Sequence, residues 1–125
     1  KLTKNYKKKV ILIDRFVDST IAYQHFGLGV DLTIIEIINK FLLKNFKVNF
    51  TFLNTVSKKN MISRLKFRKS LNRYDRFNYS FYNKVQKGFL KIAKKEKKKY
   101  LLINSNLNIK DNELKIIKTI KKIIK

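Results

Sequence analysis

Apolar and polar positions follow two rhythms along the 125 residues, and together they predict an alternation of strands and helices. Val10-Ile11-Leu12-Ile13 is a continuous apolar run that stops at Asp14-Arg15, the pattern of a strand covered on both faces in a parallel sheet. Asp18 to Gln24 reads as a short helix and Phe26-Gly27-Leu28-Gly29 as a turn. Asp31 is placed to cap a helix running to about Lys44, where Leu32, Ile34, Ile35, Ile37, Ile38, Phe41 and Leu42 cover more than one stripe. Such a helix is either central in the core or packed against a second subunit. Asn49 to Asn54 reads as a second strand, and Ser57 caps a helix through Met61, Ile62, Leu65 and Phe67. Lys69 to Asp75 is a polar break. From Phe77 the apolar residues Phe81, Val85, Phe89 and Ile92 step by four or three, a strongly amphipathic helix that ends in the basic run Lys94 to Lys99. Tyr100 to Ile103 makes a third strand, and Asp111 opens a last helix with Leu114, Ile117, Ile120 and Ile124 inward. The order β-α-α-β-α-α-β-α predicts an α/β protein with a parallel sheet. Three strands make a narrow sheet, and the chain opens with Lys rather than Met. The expectation is that N-terminal strands are missing.

Composition narrows the chemistry. Ten Phe, six Tyr and 44% hydrophobic residues suffice for a core, so an unfolded tail is excluded despite a formal charge of +23. With no Cys and one His, there is no disulfide framework, no thiol nucleophile and little from which to build a zinc site. No apolar run is long enough to span a membrane, and the four apolar residues after Lys9 are too few for a signal peptide, so a cytoplasmic protein is expected. The basic excess invites a nucleic-acid reading. It consists, however, of 26 Lys and 5 Arg spread over every segment, whereas forked phosphate and base contacts prefer Arg. The weight of Ile, Asn, Phe, Tyr and Lys fits drift toward A/T-rich codons, which speaks against a nucleic-acid partner and singles out the five arginines.

Two constellations could carry chemistry. Asp14-Arg15 closes an apolar run, and ligands of open α/β sheets gather beyond the carboxyl ends of strands. An apolar strand ending in Asp also has the form that holds or orients hydrated magnesium in phosphoryl-transfer proteins, although an Asp-Arg pair may equally close a turn. The second constellation is Arg64, Arg68, Arg73 and Arg76, of which the first two lie four apart on one helical face. Mobile arginines closing over phosphates supply charge and exclude water; a solvated basic face is the plain alternative, and for Arg64 it carries at least equal weight. His25 lacks a recognisable triad partner and is read as a structural or surface residue, and Gly27-Leu28-Gly29 is too short to cradle phosphate.

The segment Asp14-Arg15-Phe16-Val17-Asp18-Ser19-Thr20-Ile21-Ala22-Tyr23-Gln24 resembles the Asp-Arg-Tyr/Phe…Ser-Thr…Ala-Tyr-Gln signature of thymidylate kinases. The likeness continues in order through Gly27, Gly29, Asp31, Thr51-Phe52-Leu53, Arg64-Leu65, Arg68, Asn72 to Phe77 and the helix from Phe81 to Ala93. It corresponds to the C-terminal three-fifths of such an enzyme. The fold it implies is a P-loop-kinase-like three-layer α/β/α arrangement with a parallel sheet, incomplete because the N-terminal strands and phosphate loop are absent. Residues 1–125 would be one partial domain with a LID-like segment at about 64–77.

The activity implied is transfer of the γ-phosphoryl of ATP to dTMP, giving dTDP, with Mg2+. By position, Arg15 would bind the acceptor phosphate and Asp14 would sit near the metal. Ser19, Thr20, Tyr23 and Gln24 would line the nucleotide pocket, with Thr20 and Gln24 reaching the thymine and Tyr23 near the deoxyribose. Arg68, Arg73 and Arg76 would serve catalysis and the ATP phosphates. A homodimer through the Leu32–Leu42 helix is expected. The sequence departs from the pattern at His25, Leu28, Val48-Asn49 and Asn78, and no G-x-x-x-x-G-K-[ST] is present, so these residues alone are expected to be inactive. A kinase for another nucleotide or nucleoside, or a non-enzymatic basic nucleic-acid-binding module, stands as the alternative.

Overall fold

The computed structural model describes residues 9–68, 70 and 78–124. Its elements are α1 (Val17–Thr20), a π-helical segment (Ile21–Gly27) that continues it, α2 (Leu32–Leu42), β1 (Thr51–Thr55), α3 (Lys58–Lys66), α4 (Tyr79–Lys95), β2 (Tyr100–Asn104) and α5 (Ile109–Ile123). β1 and β2 pair in parallel, in the register Thr51 with Tyr100 to Thr55 with Asn104. A parallel pair joined by a helical crossover keeps the expected α/β class.

Most helix starts follow from local chemistry. Unpaired backbone N–H groups are taken up by the Asp31 carboxylate (from Thr33, 2.7 Å), the Ser57 hydroxyl (from Asn60, 3.3 Å), the Asn78 side-chain oxygen (from Phe81, 3.1 Å) and that of Asn108 (from Lys110, 2.8 Å). Asn108 thus opens the last helix, and Asp111, predicted to do so, lies within its first turn, where its charge suits the helix dipole. Lys58, at the disfavoured end of α3 for a cation, rests its ammonium 4.4 Å from the centre of the Tyr79 ring.

The core lies between the α1–π segment and α4. Ala22, Phe81 and Val85 are buried there, with Tyr23, Tyr82, Phe89 and Ile92 around them. The rings of Tyr23 and Phe81 meet edge to face at 6.0 Å, and those of Tyr23 and Phe89 at 6.2 Å. Close approach depends on two glycines. A Cβ on Gly88 would come within 2.5 Å of the Phe26 ring, and one on Gly27 within 2.6 Å of Phe81. At the far edge of this unit Leu53 and Ile103 are the buried strand residues.

Two expectations about the strands are corrected, and of the two places open to α2 the central one is removed. The sheet has two strands among the described residues rather than three, because Val10–Ile13 takes no ladder partner and all four residues are exposed. An apolar run reports what wants burial; a strand also needs a neighbour for its N–H and C=O groups. The β1 strand is Thr51–Thr55, displaced from the Asn49–Asn54 run. Helix α2 buries only Ile35 and Asn39 and leaves Ile34, Ile37, Ile38, Phe41 and Leu42 exposed, so it is not central.

Candidate active site

Asp14 and Arg15 occupy a bend before α1. Arg15 adopts φ +61°, a left-handed conformation that a residue with a Cβ takes only where its surroundings impose it, at a cost on the order of 1–3 kcal/mol. Its guanidinium carbon lies 5.3 Å from the centre of the Tyr23 ring. The fold therefore joins two predicted site residues eight positions apart, a cation set over an aromatic ring.

The segment that carries the other predicted contacts is held at both ends. Val17 is buried and Asp18 accepts a hydrogen bond from the Tyr100 hydroxyl at the start of β2. At the other end His25 donates through Nδ1 to the Val30 carbonyl (2.9 Å), which gives it the structural role read from the sequence. The Gln24 carbonyl receives the Val30 N–H (2.9 Å). Ser19, Tyr23 and Gln24 are half-buried and Thr20 is exposed.

A second feature stands at the carboxyl ends of the parallel strands, an open groove of about 570 Å³ between α3 and α5. Asn54, Arg64, Ser105, Leu107, Ile109 and Asn112 are among its walls. Its polar frame is dense. Asn106 Oδ1 receives the Ser57 N–H (3.0 Å) and the Asn60 amide (2.9 Å), Asn112 Nδ2 donates to the Asn104 carbonyl (2.9 Å), and Arg64 Nη2 donates to the Ser105 carbonyl (2.6 Å). Arg64 belongs to the arginine constellation, where a solvated face carries at least equal weight for it, and in the sequence the strand-end rule applies to Asp14-Arg15 rather than to this groove. Asp14 and Arg15 line neither this groove nor a smaller cavity of about 240 Å³ that includes Asp18, Lys47, Glu96 and Tyr100.

Helix α3 ends at Lys66, and the Arg68 N–H bonds to the Leu65 carbonyl (3.2 Å) in the turn that follows. Arg68 therefore does not share a helical face with Arg64, contrary to the spacing argument. Arg73 and Arg76 lie outside the described residues, as does most of the polar break. No cluster of three or more metal-binding side chains is present among the described residues. Asp14 offers one exposed carboxylate. That suits a magnesium ion that keeps its waters and leans mainly on phosphate oxygens. The sequence contains no glycine-rich P-loop for a triphosphate.

The fold is an α/β arrangement with a parallel strand pair, and comparison with known proteins places it in a family. A model of the thymidylate kinase family matches residues 2–116. The chain is 39% identical over 117 residues to a thymidylate kinase of Wolbachia sp. subsp. Brugia malayi, covering 94% of this chain and 55% of that protein. It is 33% identical over 112 residues to one of Sulfurihydrogenibium sp., covering 90% and 54%. The crystal structure of thymidylate kinase from Ehrlichia chaffeensis superposes with a TM-score of 0.60 at 28% identity, over 93% of this chain and 53% of that one. The chain belongs to the thymidylate kinase family, and it spans about half the length of the curated relatives it matches. It has the α/β architecture of the P-loop kinases over that span. No helix among the described residues is long and apolar enough to cross a membrane.

Proposed function

We propose that the chain forms the acceptor-binding and phosphate-closing part of a cytoplasmic thymidylate kinase, transferring the γ-phosphoryl of ATP to dTMP to give dTDP. Residues 1–125 form one partial domain, in which about 64–77 act as the closing segment. The observation that carries this reading is the ordered family match across residues 2–116, together with the Arg15 guanidinium lying on Tyr23 within the matched signature.

Phosphoryl transfer asks a protein mainly for positioning and for charge. Arg15 pairs with the 5′-phosphate of dTMP, and the ring beneath keeps it from swinging away. Thr20 and Gln24 give hydrogen bonds to the thymine, Ser19 lines the pocket and Tyr23 packs near the sugar. Arg68, Arg73 and Arg76 close over the phosphates, neutralise them and exclude water. The base of ATP lies in the groove beside Arg64. Magnesium would spread the charge of the phosphates, and Asp14 would be the carboxylate that holds it, through a water. The apolar face of α2 meets a second copy of the chain.

Calorimetric titration of the 125-residue chain with dTMP, dCMP, dAMP and thymidine tests the acceptor site, with dTMP expected to bind most tightly. Equal affinities, or a preference for another nucleotide, would overturn it. Because no phosphate loop is present, dTMP-dependent ADP formation by these residues alone is expected to be absent; measurable turnover would remove that part of the proposal. Sedimentation as a monomer at high concentration would remove the dimer.

A further inference from the structure

Resting on that reading, we propose that Tyr100 is a positioning residue for dTMP, acting through Asp18. Its phenol donates to the Asp18 carboxylate and holds α1 and the π segment at one setting against the sheet, so that Arg15, Ser19, Thr20, Tyr23 and Gln24 meet the nucleotide as a preformed set.

Few contacts hold this end of the segment. Helix α1 is the start of the stretch that the π segment continues, and Phe16 before it supplies no side-chain cap. Among the described residues its anchors include the buried Val17 and the link from Asp18 to Tyr100, which joins positions 82 residues apart. The far end is fixed differently, by Phe26 seated on Gly88 and by Gly27 on Phe81. The segment that bears the candidate contacts is thus clamped on α4 at one end and tied to β2 at the other.

The tie is chemically directional. A carboxylate accepts only, so the phenol must donate, and hydrogen bonds to ionised groups are stronger than those between neutral ones. Burial first, then this bond and the Asp18 charge, push the Tyr100 ionisation well above the usual phenol range; nearby Glu96 acts the same way, and Thr51 opposes it. Tyr100 therefore stays a donor at any neutral pH. Asp18 is committed to this bond and is not counted among the nucleotide contacts.

Without the bond, α1 samples other settings, and apparent affinity falls by the fraction of time the site is assembled. Tyr100→Phe and Asp18→Ala should each weaken dTMP binding by about tenfold. Asp18→Asn, whose amide oxygen still accepts from the phenol, should stay within about threefold of the parent. Hydrogen exchange without ligand gives an independent readout: amides of residues 17–24 should exchange about tenfold faster in Tyr100→Phe and Asp18→Ala, with α4 unchanged. Parent-like exchange in both variants overturns the proposal. So does a uniform loss of protection across α4 and the strands, which would make the bond merely structural. If the parent itself fails to bind dTMP, the acceptor-site reading falls, and the exchange comparison still decides whether the tie exists.

Discussion

The two long amphipathic helices that flank β2 in sequence have opposite fates. Helix α4 buries Phe81, Val85, Gly88 and Ala93, whereas α5, patterned just as clearly, buries no residue and leaves Leu114, Ile117 and Ile123 exposed. α4 has a partner in the α1–π segment, shaped to it by Gly27 and Gly88. α5 is attached largely by polar contacts, through Asn112 to the Asn104 carbonyl and Lys115 to the Leu102 carbonyl (3.2 Å). Periodicity thus announces a face to be covered, and only a complementary surface determines whether it is. The same contrast separates Ile103, 2% exposed, from the apolar residues of Val10–Ile13.

Truncations in the two regions should differ sharply. Phe81→Ala removes the ring at the centre of the α4 cluster and should cost about 3–5 kcal/mol in chemical denaturation. A loss below about 1 kcal/mol would mean that the cluster does not hold the fold.

A smaller effect is expected at the tie between helix and strand. Tyr100→Phe should cost about 1 kcal/mol near neutral pH. The folded phenol ionises above the unfolded value of about 10, so below that pH both states keep the proton and the contribution is complete. Above it the unfolded chain releases the proton first, and the advantage of the parent over Tyr100→Phe drains away as pH rises toward the folded value. Unfolding curves of both proteins from pH 7 to 11 give the comparison, and a difference that grows with pH would contradict it.

The least effect belongs to α5. Leu114 is 67% exposed, so Leu114→Ala should change stability by less than about 0.5 kcal/mol by the same denaturation measurement.

Legibility tracked how local each feature is. Asp31 and Ser57 were readable as caps because a cap joins residues two or three apart. The amphipathic helix after Phe77 was readable because its period lies in its own sequence, and it begins at Tyr79. The third strand and the structural role of His25 were readable on similar grounds. The Val10–Ile13 run misled because pairing depends on a neighbouring strand, which no property of those residues reports. Asn108 displaced Asp111 as the last cap because both residue types can cap, and the choice follows from where β2 lets the chain turn. The matched signature was visible as letters, but the meeting of Arg15 with Tyr23 required the π segment to turn the ring toward it. The groove at Arg64 was not legible, since Asn54, Arg64 and Ser105 come from three separate segments.

The sequence by itself determined the amphipathic helices, the Asp31 and Ser57 caps, the α/β class and the family, because these rest on short-range periodicity, side chains bonding to nearby backbone, and an ordered set of letters. Tertiary structure alone decided which apolar faces are covered, that Arg64 rather than Asp14 borders the groove, and that Asp18 is tied to Tyr100. Those outcomes depend on complementary surfaces meeting across tens of residues, and contact at that range depends on the path of the whole chain and not on either segment alone.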